Sequence, residues 1–275
     1  MSRAASEPLS GLEQVRADLE AEHEALDDVL RSLRSEQWRS ATPSVGWTVA
    51  DQIGHLTYFD RAAATAIIDA ERFRASVNEL AAGMSNADRD EFTLGPFRKL
   101  GPFERLAAWR SGRAALVDAA RSLREDARVS WYGPSMSARS FLSARLMETW
   151  AHGADVADAL GLTRTPTERL RHVVQLGLRT RAWSYAVRGE QPPPGTVRLE
   201  LTSPSGAAWT WGEVHALDTV RGSAEEFCLV VTQRRHLDDT ALQAGELGRH
   251  WLLRAQAFAG GPTLGPEPRG GHGAR

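Results

Sequence analysis

The sequence predicts a bundle of four or five antiparallel helices followed by a small α+β domain. Three observations predict it. Leu12, Leu19, Leu26, Leu30 and Leu33 recur at spacings of three, four and seven within residues 9–34, the signature of one buried helix face. Further amphipathic runs, separated by loops rich in Gly and Pro, carry the same pattern to about Val187, and helices joined this way pack side by side. At Glu190 the texture changes: Gln191-Pro192-Pro193-Pro194-Gly195 is a stiff connector, and beyond it apolar and polar residues alternate. The expected division is therefore 1–190 for the bundle, 191–259 for the α+β domain and 260–275 for a disordered tail rich in Gly and Pro.

Each element has a local reason. Ser40 to Trp47, with Pro43 and Gly46, closes the first helix. Thr48 is a natural N-cap, with Asp51 three residues on, and Val49, Ile53, Leu56, Phe59, Ala63 and Ile67 carry a second helix to about Leu80. Gly95-Pro96 and Gly101-Pro102 bracket a loop before a third helix, Phe103 to Leu123. After an extended stretch from Val129 to Tyr132, Ser137 can cap a fourth helix that Gly161 ends after Leu160. A fifth runs from about Pro166 to Val187. In the second domain, Val197, Leu199 and Leu201 face Ala207 to Trp211 across Pro204-Ser205-Gly206, a hairpin signal. A short helix or strand covers Ala224 to Thr232, and a last helix runs from Gly245 to Ala259.

Composition narrows the function classes. The 275 residues carry 33 Lys+Arg against 35 Asp+Glu, a net charge of −2, so no whole-protein electrostatic footprint for nucleic acid exists. All but one of the basic residues are Arg, the exception being Lys99. The single cysteine, Cys228, excludes a disulfide framework and a multi-cysteine zinc site. The first residues lack the apolar core of a signal peptide, and no run approaches the ~20 apolar residues of a spanning helix. The expectation is a cytoplasmic protein with a small-molecule substrate and neither nucleic acid nor membrane as partner; a homodimer stays open.

The densest cluster of chemistry-bearing residues is Met147-Glu148-Thr149-Trp150-Ala151-His152-Gly153-Ala154-Asp155. Glu148 and His152, four apart on a helix, project from one face and can chelate a divalent metal or form an intrahelical hydrogen bond. Asp155, a turn further on, is placed to orient His152. On the second helix His55 lies between Ile53 and Leu56, and Gly54 permits a neighbouring helix to approach closely. Across the bundle His55 can meet Glu148 and His152. Two His and one carboxylate leave coordination positions open, as in catalytic sites; the alternative is a satisfied core histidine.

The segments Gly46-Trp47-Thr48-Val49-Ala50-Asp51-Gln52-Ile53-Gly54-His55-Leu56 and Glu148-Thr149-Trp150-Ala151-His152-Gly153-Ala154-Asp155-Val156-Ala157-Asp158-Ala159-Leu160-Gly161 resemble the mycothiol-dependent maleylpyruvate isomerase family, a branch of the DinB-like helical bundles. The resemblance extends through Phe227 to Arg235 and Trp251 to Gly260, similar to an actinobacterial two-domain, metal-binding subgroup whose second domain is sterol carrier protein-like. It implies that His55, Glu148 and His152 are the three metal ligands. Zinc is the implied metal, with nickel, cobalt or copper as alternatives, and mycothiol the implied thiol. A metal-activated thiolate would then add to an electrophile, giving isomerisation or S-transfer. Residues that would grip maleylpyruvate or the mycothiol sugars find no match. Two other readings stand beside this one: a Lewis-acid enzyme acting on a specialised metabolite without thiol, and a non-catalytic small-molecule binder with a structural metal.

Arg139, Arg145 and Arg181 are candidates for an anionic substrate, because Arg grips carboxylates in bidentate fashion. His23 borders the apolar face of the first helix, as a contact of the site or a half-exposed boundary residue. Trp47 and Trp150 pack around the site, and Cys228, in an apolar run, reads as buried and inert.

Overall fold

The computed structural model describes residues 11–81 and 86–269. Among them ten α-helices and two small sheets are formed. The described residues fall into two units, one within Met1–Arg39 and Thr48–Thr149, the other within Ser40–Trp47 and Trp150–Arg275.

In the first unit, α1 (Gly11–Leu30) buries Leu12, Leu19, Leu26 and Leu30, four of the five predicted leucines. It ends at Leu30, and Leu33 lies in the turn beyond. Asp27, on the same buried face, is held by Arg110 of α5 (Pro102–Ala120) through two contacts of 2.6 and 2.7 Å. α2 (Val49–Ile68) starts as expected: Thr48 Oγ1 accepts from the Asp51 N–H at 3.3 Å while Asp51 accepts from the Thr48 N–H at 2.9 Å, a capping box built with Asp.

The predicted continuation to Leu80 is broken at Asp69. There the backbone leaves the helix (φ −142°, ψ 83°) and α3 (Ala70–Ala81) begins. Asp69 accepts from the Arg72 N–H at 3.0 Å, so a short polar side chain caps a new helix. The loop expected at Gly95-Pro96 is instead the end of α4 (Asn86–Arg98), which runs through Pro96. Burial of Leu94 and Phe97 offsets the backbone bond that proline cannot make. Gly54 lets this happen: a Cβ there would sit 3.1 Å from the Phe97 Cβ. Gly101 and Pro102 open α5 as N-cap and first helical residue. A two-residue ladder, β1 (Arg128–Val129) against β2 (Met136–Ser137), leads into α6 (Ala138–Leu160), where Ser137 Oγ accepts from the Ser140 N–H.

The second unit includes the C-terminal part of α6. The helix expected over 166–187 is two, α7 (Leu170–Arg179) and α8 (Arg181–Ala186), interrupted where the Thr180 hydroxyl bonds back to the Leu176 and Gly177 carbonyls at 3.0 Å each. The predicted hairpin is β3 (Val197–Thr202) and β4 (Ala208–Trp211), with Leu199 opposite Trp211 and Leu201 opposite Trp209. Sequence reading missed a third strand, β5 (Asp218–Ser223), parallel to β3 on its other edge. Ala224–Val231 is helical (α9) and packs on α7 at Gly177, where a Cβ would come within 2.8 Å of Val231. The last helix, α10, covers only Glu246–Leu252. Residues beyond it are taken by tertiary bonds, Gln256 N–H to Ser184 Oγ at 3.0 Å and Ala257 N–H to the Val231 carbonyl at 2.9 Å. Of the expected tail, 270–275 lies outside the described residues, whereas Thr263 is hydrogen-bonded to Gln233 and Gln256.

Candidate metal centre

His55 is set by the second turn of α2, downstream of the Thr48 capping box, and Glu148 by the middle of α6. Their Nε2 and Oε2 atoms are 3.9 Å apart, with both side chains 20% exposed. α6 is one continuous helix, so His152 follows Glu148 one turn later on the same face. One ligand atom each of His55, Glu148 and His152 lies within 4.8 Å of the others. Two imidazoles and a carboxylate, partly open to solvent, match the donor set of catalytic zinc sites in type and number.

The surroundings hold these side chains in place. The His55 ring packs on Phe59 with centroids 4.5 Å apart. Trp47 lies nearly parallel to the His152 ring at 6.1 Å, carried by the Ser40–Trp47 segment, where Gly46 supplies a left-handed φ of +79°. Asp155 is buried beside His152, its Oδ2 3.8 Å from Nδ1, beyond hydrogen-bond distance. That carboxylate is instead bound by Arg234 at 2.8 Å and Ser44 at 3.4 Å. Burial raises the Asp155 pKa against the opposing pull of Arg234.

Other sequence candidates are placed elsewhere. Arg145 is buried in an ion pair with Asp60 at 2.8 Å and is not displayed to a ligand. Arg181 donates to the carbonyls of Pro193 and Gly195, bracing the proline connector. The Arg139 guanidinium packs over Gly11, where a Cβ would meet it at 2.9 Å. Cys228 is fully buried, its thiol pushed well up by burial, which removes it as a nucleophile.

His23 is a correction. Expected at the boundary, it is 1% exposed, edge-on to Trp109 and 4.0 Å from Asp60. Neither ring nitrogen has a hydrogen-bond partner, and burial lowers its pKa to about 4, so the ring is neutral near pH 7. Asp60 escaped sequence reading. Its signal was an acid at heptad distance from Ile53 on an otherwise apolar helix face, a position tolerated only with a buried cation opposite.

A helical bundle carrying two histidines and a carboxylate that could hold a metal ion, followed in sequence by a small three-stranded sheet, defines a class of helical-bundle proteins with an α+β extension. Residues 19–157 match the mycothiol maleylpyruvate isomerase N-terminal domain, and the chain belongs to that family. It is 44% identical over 250 residues to uncharacterized proteins of Mycobacterium tuberculosis strains H37Rv and CDC 1551, covering 90% of this chain and 96% of each relative. Crystal structures of the mycothiol-dependent maleylpyruvate isomerase and of a histidine-to-alanine mutant of it share the fold. Their TM-scores are 0.57 and 0.56 at 17% identity, over 85% of this chain and 92% of theirs. The architecture is thus the expected one, a helical bundle followed by a small α+β domain. No helix among the described residues is long and apolar enough to cross a membrane.

Proposed function

We propose that this protein is a divalent-metal enzyme that activates a low-molecular-weight thiol, mycothiol in its family, for isomerisation or S-transfer on a small electrophilic substrate. The observation that carries this reading is the convergence of His55, Glu148 and His152; family membership supports it. These three residues would hold the ion, zinc in the first instance with nickel, cobalt or copper as alternatives. A divalent cation bound there supplies the Lewis acidity that makes a thiolate accessible at neutral pH.

The chain's own residues do the rest. Phe59 fixes the His55 ring from one side. Trp47 stacks beside the His152 ring. Partial burial strengthens the interaction of the Glu148 carboxylate with a cation, while its 20% exposure leaves the site open to a thiol and a substrate. Cys228, being buried, does not supply the thiol, so an external one is required. The thiol gives up its proton, and its sulfur adds to one carbon of the electrophile's C=C bond as the π electrons move onto the conjugated carbonyl. After rotation about the resulting single bond, expulsion of the thiolate restores the double bond and completes isomerisation. At a carbon bearing a leaving group, the sulfur instead displaces that group, which departs with its bonding pair, giving S-transfer.

The experiment is elemental analysis of protein purified without added metal, beside His55→Ala, followed by turnover of cis-enoyl electrophiles with and without mycothiol. About one ion per chain, absent in the variant, together with strictly thiol-dependent turnover, is the expected result. Turnover in thiol-free buffer would replace the thiol reading with direct Lewis-acid catalysis, and absence of metal after reconstitution would remove the metal reading altogether.

A further inference from the structure

We infer that Arg145 is a positioning residue for the proposed metal site: paired with Asp60, it locks α2 and α6 in the register that brings His55 to Glu148. The inference rests on the metal reading above. Among the contacts between these helices are His55–Glu148 at 3.9 Å and Asp60–Arg145 at 2.8 Å. They occur in opposite order along the two helices, so the helices run antiparallel here. Asp60 lies five residues beyond His55, a rise of about 7.5 Å, and Arg145 three residues before Glu148, about 4.5 Å. The outer contact is 20% exposed on both sides, the inner one 3% and 0%. A slip of one helix past the other would therefore break the inner pair and separate the outer ligands together.

The inner pair is poorly built for stability alone. Arg145 Nε, Asp60 Oδ2 and both nitrogens of His23, whose Nε2 lies 4.0 Å from that oxygen, have no hydrogen-bond partner. Buried ionic groups left with open donors and acceptors forfeit much of their Coulombic gain, and an apolar pair of equal volume often stabilises as well. What such a pair supplies is a discrete registry. A second connection runs through aromatic rings: the Arg145 guanidinium lies 6.0 Å from the Trp131 ring centre, Trp131 meets Phe59 edge-on at 6.3 Å, and Phe59 packs on His55.

The test titrates cobalt(II) into metal-free full-length protein, reading dissociation constant and visible absorption spectrum, with the urea midpoint of each metal-free variant measured separately. Arg145→Gln is expected to bind cobalt about 10–100-fold more weakly, the usual cost of losing a group that supports a ligand, with shifted ligand-field bands; Arg145→Lys recovers part of both. If Arg145→Gln does not fold, the apolar pair Asp60→Leu/Arg145→Met removes the tie without leaving a lone charge and is expected to show the same loss. Wild-type affinity and spectrum in either folded variant would overturn the inference, however far the urea midpoint has moved. Failure of the unaltered protein to bind cobalt, by contrast, would overturn the metal reading from which it starts.

Discussion

At the scale of single residues, the buried ring of His23 makes the plainest statement about pH. An ordinary histidine titrates near 6.5, whereas this one is held to about 4 by burial, with Arg113 and Arg145 adding to the depression and Asp60 opposing it. The unfolded chain therefore binds the proton more readily than the folded one. The stability this site contributes is fully present above pH 6.5 and is lost progressively as pH falls toward 4. The shift corresponds to about 3 kcal/mol at full expression. Urea midpoints of metal-free wild type and His23→Gln across pH 7.5 to 4 should diverge at the top of the range and converge at the bottom. Parallel curves would mean that the ring is not held neutral. Asp155 offers the contrasting lesson. Sequence spacing made it the natural partner of His152, yet it stands 3.8 Å from that ring and is engaged by Arg234 at 2.8 Å.

At the scale of elements, glycines report where helices approach most closely. Gly54 was legible as such from its place beside His55, and the structure supplies the neighbour, Phe97 of α4, 3.1 Å from where a Cβ would stand. Gly54→Val has no room for its methyls and should destabilise by about 1–3 kcal/mol, the usual cost of overpacking, measured as a lower urea midpoint with unchanged m-value. An unchanged midpoint would show that α4 yields freely. The same elements show what sequence conceals. The Thr48 box, the leucine face of α1 and the β3–β4 hairpin follow from local chemistry and were readable. The breaks at Asp69 and Thr180 were not, because each residue fits a helix by pattern and ends one through its own side-chain bond. β5 was invisible because Val220 is its one fully buried residue and Gly222 interrupts it, leaving no alternation to detect. Of the site, Glu148 and His152 share a face by spacing alone, whereas His55 was one option for meeting them across the bundle until the family resemblance singled it out, since a meeting between helices has no local signature.

At the scale of the whole molecule, a metal at the proposed site would bear on stability as well as chemistry. Glu148 and His152 belong to one helix, His55 to another distant in sequence, and an ion binding all three would do so only in the folded chain. Mass action then ties folding to metal: at a free concentration a hundredfold above the dissociation constant, the folded state gains about 2.7 kcal/mol. For a protein of this size that raises the melting midpoint by about 5–10 °C. The comparison that isolates the effect is the zinc-dependent shift in wild type minus that in His55→Ala. The variant keeps the α2 helix but has lost one of three ligands, so its shift should fall close to zero. Adventitious zinc on exposed histidines would move both proteins equally, and an equal shift would therefore count against a site made of these three residues. A large shift confined to the wild type, but produced by only one of zinc, nickel, cobalt and copper at matched free concentration, would identify the metal the fold has been shaped to hold.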